Sequence, residues 1–368
     1  MNIKNSIIKG DAIEELSKIP SETFDFCFSD PPYFLQIDNN KELYRVEGSK
    51  YNGCDDDWDK FSSMEEYKKW THLWLSEVKR VLKPNGTVCV ISGMQSIYEI
   101  GNILKDLGFW IINDIIWQKT NPTPNFLGTR LNNSHETIIW AAKSKKAKFT
   151  FNYKTGKFLN DGKQMGSVWK IPICSGKERL KDENNIKVHT TQKPKKLVDR
   201  IIYLFTKQGD WILDPFGGTM TTGVSAKEAG RNYTLIEREL KYIKYGQKRL
   251  DETKPNIGDI QKGVYDIKPA RIKIEDLVKE GYLKLNEFFI HKNGEQARLV
   301  NTKGQLEYNG NINSMHDIAS AMMNRKNRVN AYDYLFVNRN GNNVSISDIR
   351  EKYRLDHNLP LKVDFKIQ

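Results

Sequence analysis

Cysteine is scarce in this sequence, and its placement excludes several kinds of site. The chain has 368 residues and 4 cysteines, Cys27, Cys54, Cys89 and Cys174, with no CxxC pair and no zinc-ligand spacing among them. We therefore expect neither a disulfide framework nor a metal site. Cys27 and Cys89 lie in apolar, strand-like runs and are expected to be small core residues. This usage indicates a reduced, cytoplasmic setting.

Long apolar runs are also missing. The amino-terminal residues MNIKNSIIKGD lack the apolar core of a signal peptide. No stretch has the length of a membrane-spanning helix. We therefore expect a cytoplasmic protein with no membrane partner.

Positive charge, by contrast, is in moderate excess. Lys and Arg number 58 against 46 Asp and Glu, which gives a formal net charge of +12. Aromatic residues are spread among the lysines, and this combination favours a polyanionic partner such as nucleic acid. A lysine-rich surface without such a partner is the alternative. The length allows two domains or three.

The first informative motif is Asp30-Pro31-Pro32-Tyr33, which follows the strand-like run Phe24 to Phe28. Two consecutive prolines end a strand, so the motif lies where open α/β sheets bind ligands. The Asp30 carboxylate and the Pro31 carbonyl can accept hydrogen bonds from an exocyclic amine, and Tyr33 can stack on a planar base. An ordinary turn is the alternative for these four residues alone.

The second motif is a glycine-rich turn between a strand and a helix. Trp211 to Leu213 is predicted as a strand, DPFGGTMTTG follows from Asp214 to Gly223, and the next strand ends at Glu237. Glycines let a ligand approach the backbone, and an acid ending the next strand can hold ribose hydroxyls. The GxGxxG order and the phosphate-loop lysine are both missing, and Asp214 would repel a phosphate. The turn therefore favours a zwitterionic, adenosine-bearing ligand such as S-adenosylmethionine.

Helical and strand-like patterns alternate along the first 250 residues. Apolar spacing predicts helices at Met64 to Leu82 and Lys195 to Phe205, and a strand at Thr87 to Ile91 after a turn at Lys83 to Gly86. This order predicts a mostly parallel sheet with helices on both faces. The long polar segment Phe34 to Phe61 is expected to be a mobile segment over the ligand site.

Lysines and aromatic residues alternate between Lys143 and Lys157, where Phe149, Phe151 and Tyr153 are interleaved with basic side chains. This pattern suits contact with a phosphate backbone and unstacked bases. A solvated hairpin with a basic outer face is the alternative.

Together, these motifs resemble the amino-group DNA methyltransferases of the permuted β class, in which a DPPY motif precedes a DPFxGxGTT motif and the recognition region lies between them. The sequence departs from that class at Met220, where glycine is usual. It is more closely similar to the HinfI-type and cell-cycle-regulated adenine methyltransferases that modify GANTC. The residues that carry the two resemblances are Gly10-Asp11, Asp30 to Tyr33, Asp57 to Phe61, Lys119 to Phe126, Asn132 to Trp140, Thr191 to Pro194, Asp214 to Thr222, Glu237, Asp276 to Leu285 and Ala331 to Phe336.

The resemblance implies an α/β, Rossmann-like S-adenosylmethionine-dependent methyltransferase fold with circularly permuted motif order and a small α+β carboxy-terminal domain. The catalytic domain is expected at residues 1–257, with target-recognition segments inserted at about 34–61 and 118–187. Residues 258–368 are expected to form a DNA-binding or accessory domain. A dimerisation module is the alternative for this tail.

The resemblance also implies roles for individual residues. The expected catalytic residues are Asp30, Pro31, Pro32 and Tyr33. The expected cofactor-binding residues are Asp11, Ala12, Thr191, Lys193, Asp214, Pro215, Phe216, Gly217, Gly218, Thr219, Thr221 and Glu237. Asp11 could instead only cap the helix that begins at Ala12. The expected DNA contacts are Trp58, Lys119, Asn121, Asn125, Arg130, Asn132, Arg325 and Lys326.

The reaction that the resemblance implies is methylation of N6 of an adenine flipped out of the duplex, with S-adenosylmethionine as donor and no metal. The implied partners are double-stranded DNA, a second copy of the chain in a homodimer, and a cognate restriction endonuclease. The alternatives are a cytosine-N4 methyltransferase, a catalytically silent DNA-binding protein of the same fold, and an enzyme that acts on RNA. Aspartate at position 30 favours adenine, because the cytosine group more often has serine there.

Overall fold

The computed structural model describes residues 3–35, 43–44, 50–51, 59–125 and 128–361. The chain divides into two compact units: the first contains the described residues up to Asp266, and the second those from Ile267 onward. This division falls after the predicted boundary at residue 257, because the intervening segment packs on the first unit. The Asp266 carboxylate accepts hydrogen bonds from the backbone N–H groups of Lys154 and Thr155 at 2.7 and 2.9 Å.

The first unit alternates strands and helices. Its strands are β1 (Ser6–Lys9), β2 (Phe24–Ser29), β3 (Leu43–Tyr44), β4 (Lys50–Tyr51), β5 (Leu82–Ser92), β6 (Trp110–Lys119), β7 (His135–Ala142), β8 (Val168–Ile171), β9 (Trp211–Asp214) and β10 (Asn232–Glu237). Its helices are α1 (Ala12–Ser17), α2 (Met64–Val81), α3 (Ile97–Asp106), α4 (Tyr153–Phe158), α5 (Lys195–Phe205), α6 (Thr221–Glu228), α7 (Leu240–Glu252) and α8 (Asp259–Lys262).

Eight of these strands form one sheet in the order β1-β10-β9-β2-β5-β7-β6-β8. The first five strands in this order are parallel to one another, β7 is antiparallel to both β5 and β6, and β6 is parallel to β8. The prediction of a mostly parallel sheet is confirmed. The reversed β7 brings its amino-terminal end to the edge where the parallel strands end.

Helices cover both faces of this sheet, as predicted. Phe26 and Phe28 of β2 belong to a hydrophobic cluster with Ile201 of α5, whereas Cys27 belongs to a second cluster with Trp74 of α2. Successive residues of a strand point to opposite faces, so the alternation in β2 divides the core into two layers. Cys27 and Cys89 are fully buried, as expected.

The predicted turn at Lys83 to Gly86 lies inside β5. Leu82 pairs with Phe24 and Thr87 with Phe26, so the intervening residues loop out from the ladder. The Lys83 ammonium contacts the Asp25 carboxylate at 2.8 Å, and this ion pair holds the loop against β2.

The second unit is an antiparallel sheet with helices, which confirms the predicted α+β class. Its strands are β11 (Phe288–His291), β12 (Gln296–Leu299), β13 (Gln305–Tyr308), β14 (Asn311–Ser314), β15 (Leu335–Arg339) and β16 (Asn342–Ser345), in the order β14-β13-β12-β11-β15-β16. Its helices are α9 (Ile274–Lys279), α10 (Met315–Met322), α11 (Ala331–Tyr334) and α12 (Ile346–Asp356).

One supersecondary arrangement occurs twice in the second unit. The hairpin turns Asn309-Gly310 and Asn340-Gly341 each have two consecutive residues with positive φ, the conformation that two-residue hairpin loops favour. Each hairpin leads directly into a helix whose N-cap is a serine, Ser314 or Ser345. In the described part of the chain, no helix of either unit is long and apolar enough to cross a membrane.

Candidate active site

Four acidic side chains follow four neighbouring parallel strands. Asp11 follows β1, Glu237 ends β10, Asp214 ends β9 and Asp30 follows β2. Carboxyl ends of adjacent parallel strands meet at one edge of a sheet. The four acids accordingly line one cavity of about 370 Å³. Every residue predicted to be catalytic or cofactor-binding lines this cavity, including Tyr33 and Gly217, which are far apart in the chain.

Asp30 is paired with a lysine. The Lys193 ammonium lies 2.9 Å from Asp30 Oδ1, and the side chains of Lys193 and Asp30 are 7% and 19% exposed. Burial raises the pKa of Asp30 above its ordinary value, and the positive charge of Lys193 opposes that rise. The resemblance implied that Lys193 would be a cofactor-binding residue; in this structure its ammonium contacts Asp30.

Tyr33 contacts two carboxylates through its hydroxyl group. That hydroxyl lies 2.8 Å from Glu136 Oε2 and 3.1 Å from Asp30 Oδ1. Burial and the two nearby carboxylates raise the pKa of Tyr33 well above its ordinary value, so the hydroxyl keeps its proton and acts as a donor. The Lys193 ammonium lies 4.9 Å from the centroid of the Tyr33 ring.

The backbone after Pro31 is held by residues outside the motif. The Asp59 carboxylate accepts hydrogen bonds from three consecutive N–H groups, those of Tyr33, Phe34 and Leu35, at 2.6, 2.7 and 2.8 Å. The Tyr67 hydroxyl donates to the Pro32 carbonyl at 2.9 Å. These contacts fix the turn that carries the aromatic ring.

Asp214 is held by the turn that follows it. Its carboxylate accepts hydrogen bonds from the Thr222 hydroxyl at 2.6 Å and from the Phe216 N–H at 3.0 Å. Burial raises the pKa of Asp214 to about 7, against the effect of these two donors. Burial therefore favours the protonated form of this carboxyl group.

Met220, the departure from the usual glycine, keeps a glycine-like backbone. Its φ is +61° and its side chain is fully buried. A Cβ on Gly246 of α7 would lie only 2.3 Å from Met220 Cγ. The glycine in α7 therefore provides the space that the methionine side chain fills.

Glu237 lines the cavity beside the glycine-rich turn. Its carboxylate accepts hydrogen bonds from the Gly218 N–H at 2.7 Å and the Glu239 N–H at 2.8 Å, and burial raises its pKa. A Cβ on Gly218 would lie 3.5 Å from His189 Nε2. Burial lowers the pKa of His189 to about 3, so a neutral imidazole faces the glycine turn.

The contacts of Asp11 fit both interpretations of this residue, as a helix cap and as a ligand contact. Its carboxylate caps α1 by accepting hydrogen bonds from the N–H groups of Ile13 and Glu14 at 2.9 and 3.3 Å. The same side chain lines the cavity. Capping and ligand contact are therefore compatible at this residue.

Sequence reasoning assigned no role to Tyr67 or His189, and it gave Glu136 and Asp59 only as parts of matching stretches. Glu136 reaches Tyr33 because β7 runs antiparallel to β5 and β6. The alternation of helices and strands along the sequence did not show this direction. Asp59 comes from the end of the long polar segment 34–61, most of which lies outside the described residues. The matching stretch Asp57 to Phe61, which contains Asp59, was the available signal for a contact in this region.

The residues predicted to contact DNA do not lie together, unlike those predicted to be catalytic or cofactor-binding. Trp58 lies outside the described residues. The Lys119 ammonium is 2.8 Å from Glu136 Oε1 and its side chain is 14% exposed, so it is paired with a carboxylate that also contacts Tyr33. Asn121 accepts a hydrogen bond from the Ile173 N–H at 2.8 Å, and Asn125 donates to the carbonyl of Arg130 at 3.1 Å.

The remaining predicted contacts are on the surface. Arg130 and Asn132 are exposed in the first unit, and Arg325 and Lys326 are exposed in the second. Within the basic stretch from Lys143 to Lys157, Tyr153 begins α4 instead of continuing a hairpin strand. The hairpin alternative for that stretch is therefore wrong.

The site offers two chemically different walls. Glu237, Asp11 and Asp214 supply oxygen acceptors beside a backbone without side chains at Gly217 and Gly218, which suits the hydroxyls, ammonium and sulfonium of S-adenosylmethionine. The other wall has the carboxylate of Asp30, the carbonyl of Pro31 and the phenol ring of Tyr33. No group of three or more His, Cys, Asp or Glu side chains among the described residues could hold a metal ion.

Comparisons with known proteins agree with this arrangement. The family model described as DNA methylase matches residues 24–248. The type II methyltransferase M.HinfI of Haemophilus influenzae is 46% identical over 349 residues, which are 95% of this chain and 96% of that protein. The type II methyltransferase M2.DpnII of Streptococcus pneumoniae is 44% identical over 249 residues, which are 67% of this chain and 90% of that protein.

Two solved structures are also similar. The crystal structure of the M1.HpyAVI–SAM complex is 26% identical with a TM-score of 0.50, and the match covers 67% of this chain and 98% of that one. The PvuII DNA methyltransferase (cytosine-N4-specific) is 21% identical with a TM-score of 0.52, covering 70% of this chain and 93% of that one, and at this identity the likeness shows the fold alone. The predicted fold and the resemblance to amino-group DNA methyltransferases are confirmed.

Proposed function

Because the chain belongs to the DNA methylase family of N6- and N4-methyltransferases, we propose that it transfers a methyl group from S-adenosylmethionine to N6 of adenine in DNA, within the sequence GANTC. The observation that carries the proposal is that Asp30 to Tyr33 and Asp214 to Gly218 line one cavity. Adenine and GANTC are the target of the HinfI-type enzymes, which the sequence resembles over nearly its whole length.

Different residues of the chain would bind different parts of the cofactor. Glu237 would accept hydrogen bonds from the ribose hydroxyls, and Asp11 would contact the adenine ring of the cofactor. The turn from Asp214 to Thr219 would hold the methionine portion, with Gly217 and Gly218 allowing the close approach. The cofactor supplies an electrophilic methyl group on a sulfonium sulfur.

The target amine is activated by acceptors. Adenine N6 is a poor nucleophile because its lone pair is delocalised into the ring. Asp30 and the Pro31 carbonyl would accept the two N6 hydrogens and favour a pyramidal nitrogen whose lone pair is available. The neighbouring Pro32 carbonyl already accepts a hydrogen bond from the Tyr67 hydroxyl. Lys193 favours the ionised form of Asp30, the form that only accepts hydrogen bonds.

The target base must leave the duplex to reach this cavity, at a cost of a few kcal/mol. Tyr33 would stack on the flipped adenine. Since the Lys193 ammonium lies over the Tyr33 ring in this structure, stacking on that face requires Lys193 to move. Its ion pair with Asp30 would be exchanged for the hydrogen bond from the substrate amine.

The resemblance supports further proposals about partners. The chain would act as a homodimer in the cytoplasm. A cognate restriction endonuclease would be its partner enzyme. The second unit would contact DNA through exposed basic side chains such as Arg325 and Lys326. Size-exclusion chromatography with light scattering measures the oligomeric state, and a mass of one chain contradicts the dimer.

The function is tested with purified protein, tritiated S-adenosylmethionine and duplexes that contain or lack GANTC. We expect methyl transfer only to GANTC duplexes, and N6-methyladenine in mass spectra of the digested product. N4-methylcytosine would establish the alternative. Asp30→Ala should abolish transfer while leaving DNA binding largely intact, and full activity of this variant would remove Asp30 from the reaction.

A further inference from the structure

Glu136 is the second residue of β7 and contacts side chains from three other parts of the fold. Its Oε2 accepts a hydrogen bond from the Tyr33 hydroxyl at 2.8 Å, and its Oε1 lies 2.8 Å from the Lys119 ammonium. The Lys193 ammonium is 3.8 Å from Oε2. The Glu136 side chain is only 13% exposed, so these partners account for its burial as a charged group.

The Glu136–Lys119 pair closes the base of the segment 120–134, which is part of the predicted recognition segment at about 118–187. Lys119 is the last residue of β6, and its N–H donates to the Ser134 carbonyl at 2.8 Å. Trp117 and Gln118 pair with Glu136 and His135 across the two strands. The two ends of the segment therefore meet where Glu136 touches Tyr33.

The Tyr33 hydroxyl has one hydrogen and two carboxylate acceptors. The distance to Glu136 is shorter than the distance to Asp30. Burial opposes ionisation of Glu136, but Lys193 and Lys119 outweigh it and lower the pKa. The pKa of Asp30 is raised by burial, and the shorter distance from the Tyr33 hydroxyl makes Glu136 the preferred acceptor of its hydrogen.

A hydrogen given to Glu136 is not given to Asp30. Asp30 Oδ1 then receives only the Lys193 ammonium among these contacts, and that partner can move when a substrate enters. If the Tyr33 hydroxyl turned to Asp30, it would occupy an acceptor site that the substrate amine needs. Tyr33 would also shift toward Asp30 and away from the position in which Asp59 and Glu136 hold it.

We propose that Glu136, held by Lys119, is a positioning residue for methyl transfer: it binds the hydroxyl of Tyr33, fixes the ring, and leaves the Asp30 carboxylate available to the target amine. This inference rests on the proposed function and deepens it. Glu136 itself does not touch the reacting atoms. It acts through Tyr33, and the same carboxylate joins the base of the recognition segment to the active site.

The variant Glu136→Gln tests this inference, because it keeps the shape of the side chain and removes its charge. We expect kcat for methyl transfer to fall about tenfold or more, as for the loss of a charge-assisted hydrogen bond. The dissociation constant for S-adenosylmethionine should stay within about twofold of wild type, since the ground-state contacts of the cofactor are elsewhere. Glu77→Gln is the matched control: it breaks the Glu77–Arg80 pair on α2, outside the cavity, and should leave kcat unchanged.

A double-mutant cycle with Tyr33→Phe separates positioning from a general loss of stability. Phe keeps the ring and removes the hydroxyl through which Glu136 acts. In this background, Glu136→Gln should lower kcat by less than about twofold. Equal losses in the Tyr33 and Phe backgrounds would overturn the inference, as would wild-type kcat in Glu136→Gln.

The outcome is distinguishable from failure of the proposed function. A wild-type protein that transfers no methyl group to any duplex would overturn both. An active wild type with an unaffected Glu136→Gln variant would overturn the inference about Glu136 alone. Thermal unfolding of each variant, expected within about 3 °C of wild type, accompanies the kinetics, and a larger drop that parallels the loss of kcat would instead assign Glu136 a purely structural role.

Discussion

Gly246 of α7 lies directly against the side chain of Met220 in the glycine-rich turn. A Cβ at position 246 would come within 2.3 Å of Met220 Cγ, a separation that packed atoms cannot adopt. Met220 itself has the left-handed backbone that glycine adopts readily, with φ +61°. A buried methionine at this turn is therefore accommodated by a glycine elsewhere, and the two positions are coupled through packing.

This coupling predicts non-additive stabilities. Gly246→Ala should destabilise the protein by about 1–3 kcal/mol through overpacking, and Met220→Gly by about 2–4 kcal/mol through loss of a buried side chain. In the double variant, the alanine methyl group fills part of the vacated space. Urea unfolding should give a double-variant loss at least about 1 kcal/mol smaller than the sum. Additive losses would contradict the contact.

Asp59 is expected to hold the catalytic turn in shape. Asp59→Ala removes the acceptor of three consecutive N–H groups, so the turn that carries Tyr33 should loosen. We expect kcat to fall about tenfold or more, since misplacement of a positioning group is costly. Asp210→Ala is the control: this aspartate accepts a hydrogen bond from the Lys207 N–H in a turn outside the cavity. If both variants keep wild-type kcat, Asp59 has no positioning role.

The sequence was sufficient for the elements that follow local rules. The predicted helix Lys195 to Phe205 has those bounds in the structure, because its apolar spacing and the preceding proline act within a few residues. Asp30, Asp214 and Glu237 were identifiable for the same reason, since each ends or follows a predicted strand, whereas Asp11 was identified through the resemblance.

The contacts made by Glu136 and Asp59 could not be predicted in this way. Glu136 lies near Tyr33 only because β7 pairs antiparallel between β5 and β6, and strand direction is set by tertiary pairing. Asp59 returns to Tyr33 after a long segment whose path has no periodic signal. Both contacts join residues far apart in sequence, where spacing carries no information about distance.

Lys193 should set the acid limit of activity. Only the ionised Asp30 accepts hydrogen bonds without donating one, and burial raises the pKa of Asp30 while Lys193 opposes the rise. Lys193→Met removes the positive charge, so the pKa of Asp30 should rise further. The acid limb of the kcat/KM–pH profile, which reports the free enzyme in which Lys193 is paired with Asp30, should therefore move to higher pH, with partial recovery of activity in alkaline buffer. Lys193→Arg should move it less, and identical profiles would contradict the role.

Glu237 should contribute to cofactor affinity. Glu237→Ala removes a carboxylate that lines the cavity beside Gly218, and calorimetry should show S-adenosylmethionine binding weakened about tenfold or more, as for loss of a hydrogen bond to a charged group. Glu239→Ala is the neighbouring control, because Glu239 is half-exposed and should leave the affinity unchanged. Unchanged binding by Glu237→Ala would count against the ribose contact.

Asp214 should make the stability of the ligand-free protein depend on pH. Its folded-state pKa, about 7, lies above the ordinary value of 3.8 because burial disfavours the charge. A carboxyl group with a raised pKa binds its proton more tightly in the folded state. Its contribution to stability is therefore fully present below pH 3.8 and is lost as the pH rises through 7.

Asp214→Asn resembles the protonated form at every pH, and its amide oxygen can still accept the Phe216 N–H. Relative to wild type, the variant should gain stability as the pH rises from 4 to 8, by up to about 4 kcal/mol for a shift of this size. Chemical denaturation at pH 4 and pH 8, without cofactor, measures the change. A stability difference between variant and wild type that is the same at both pH values would show that Asp214 ionises in the folded protein as it does in the unfolded chain.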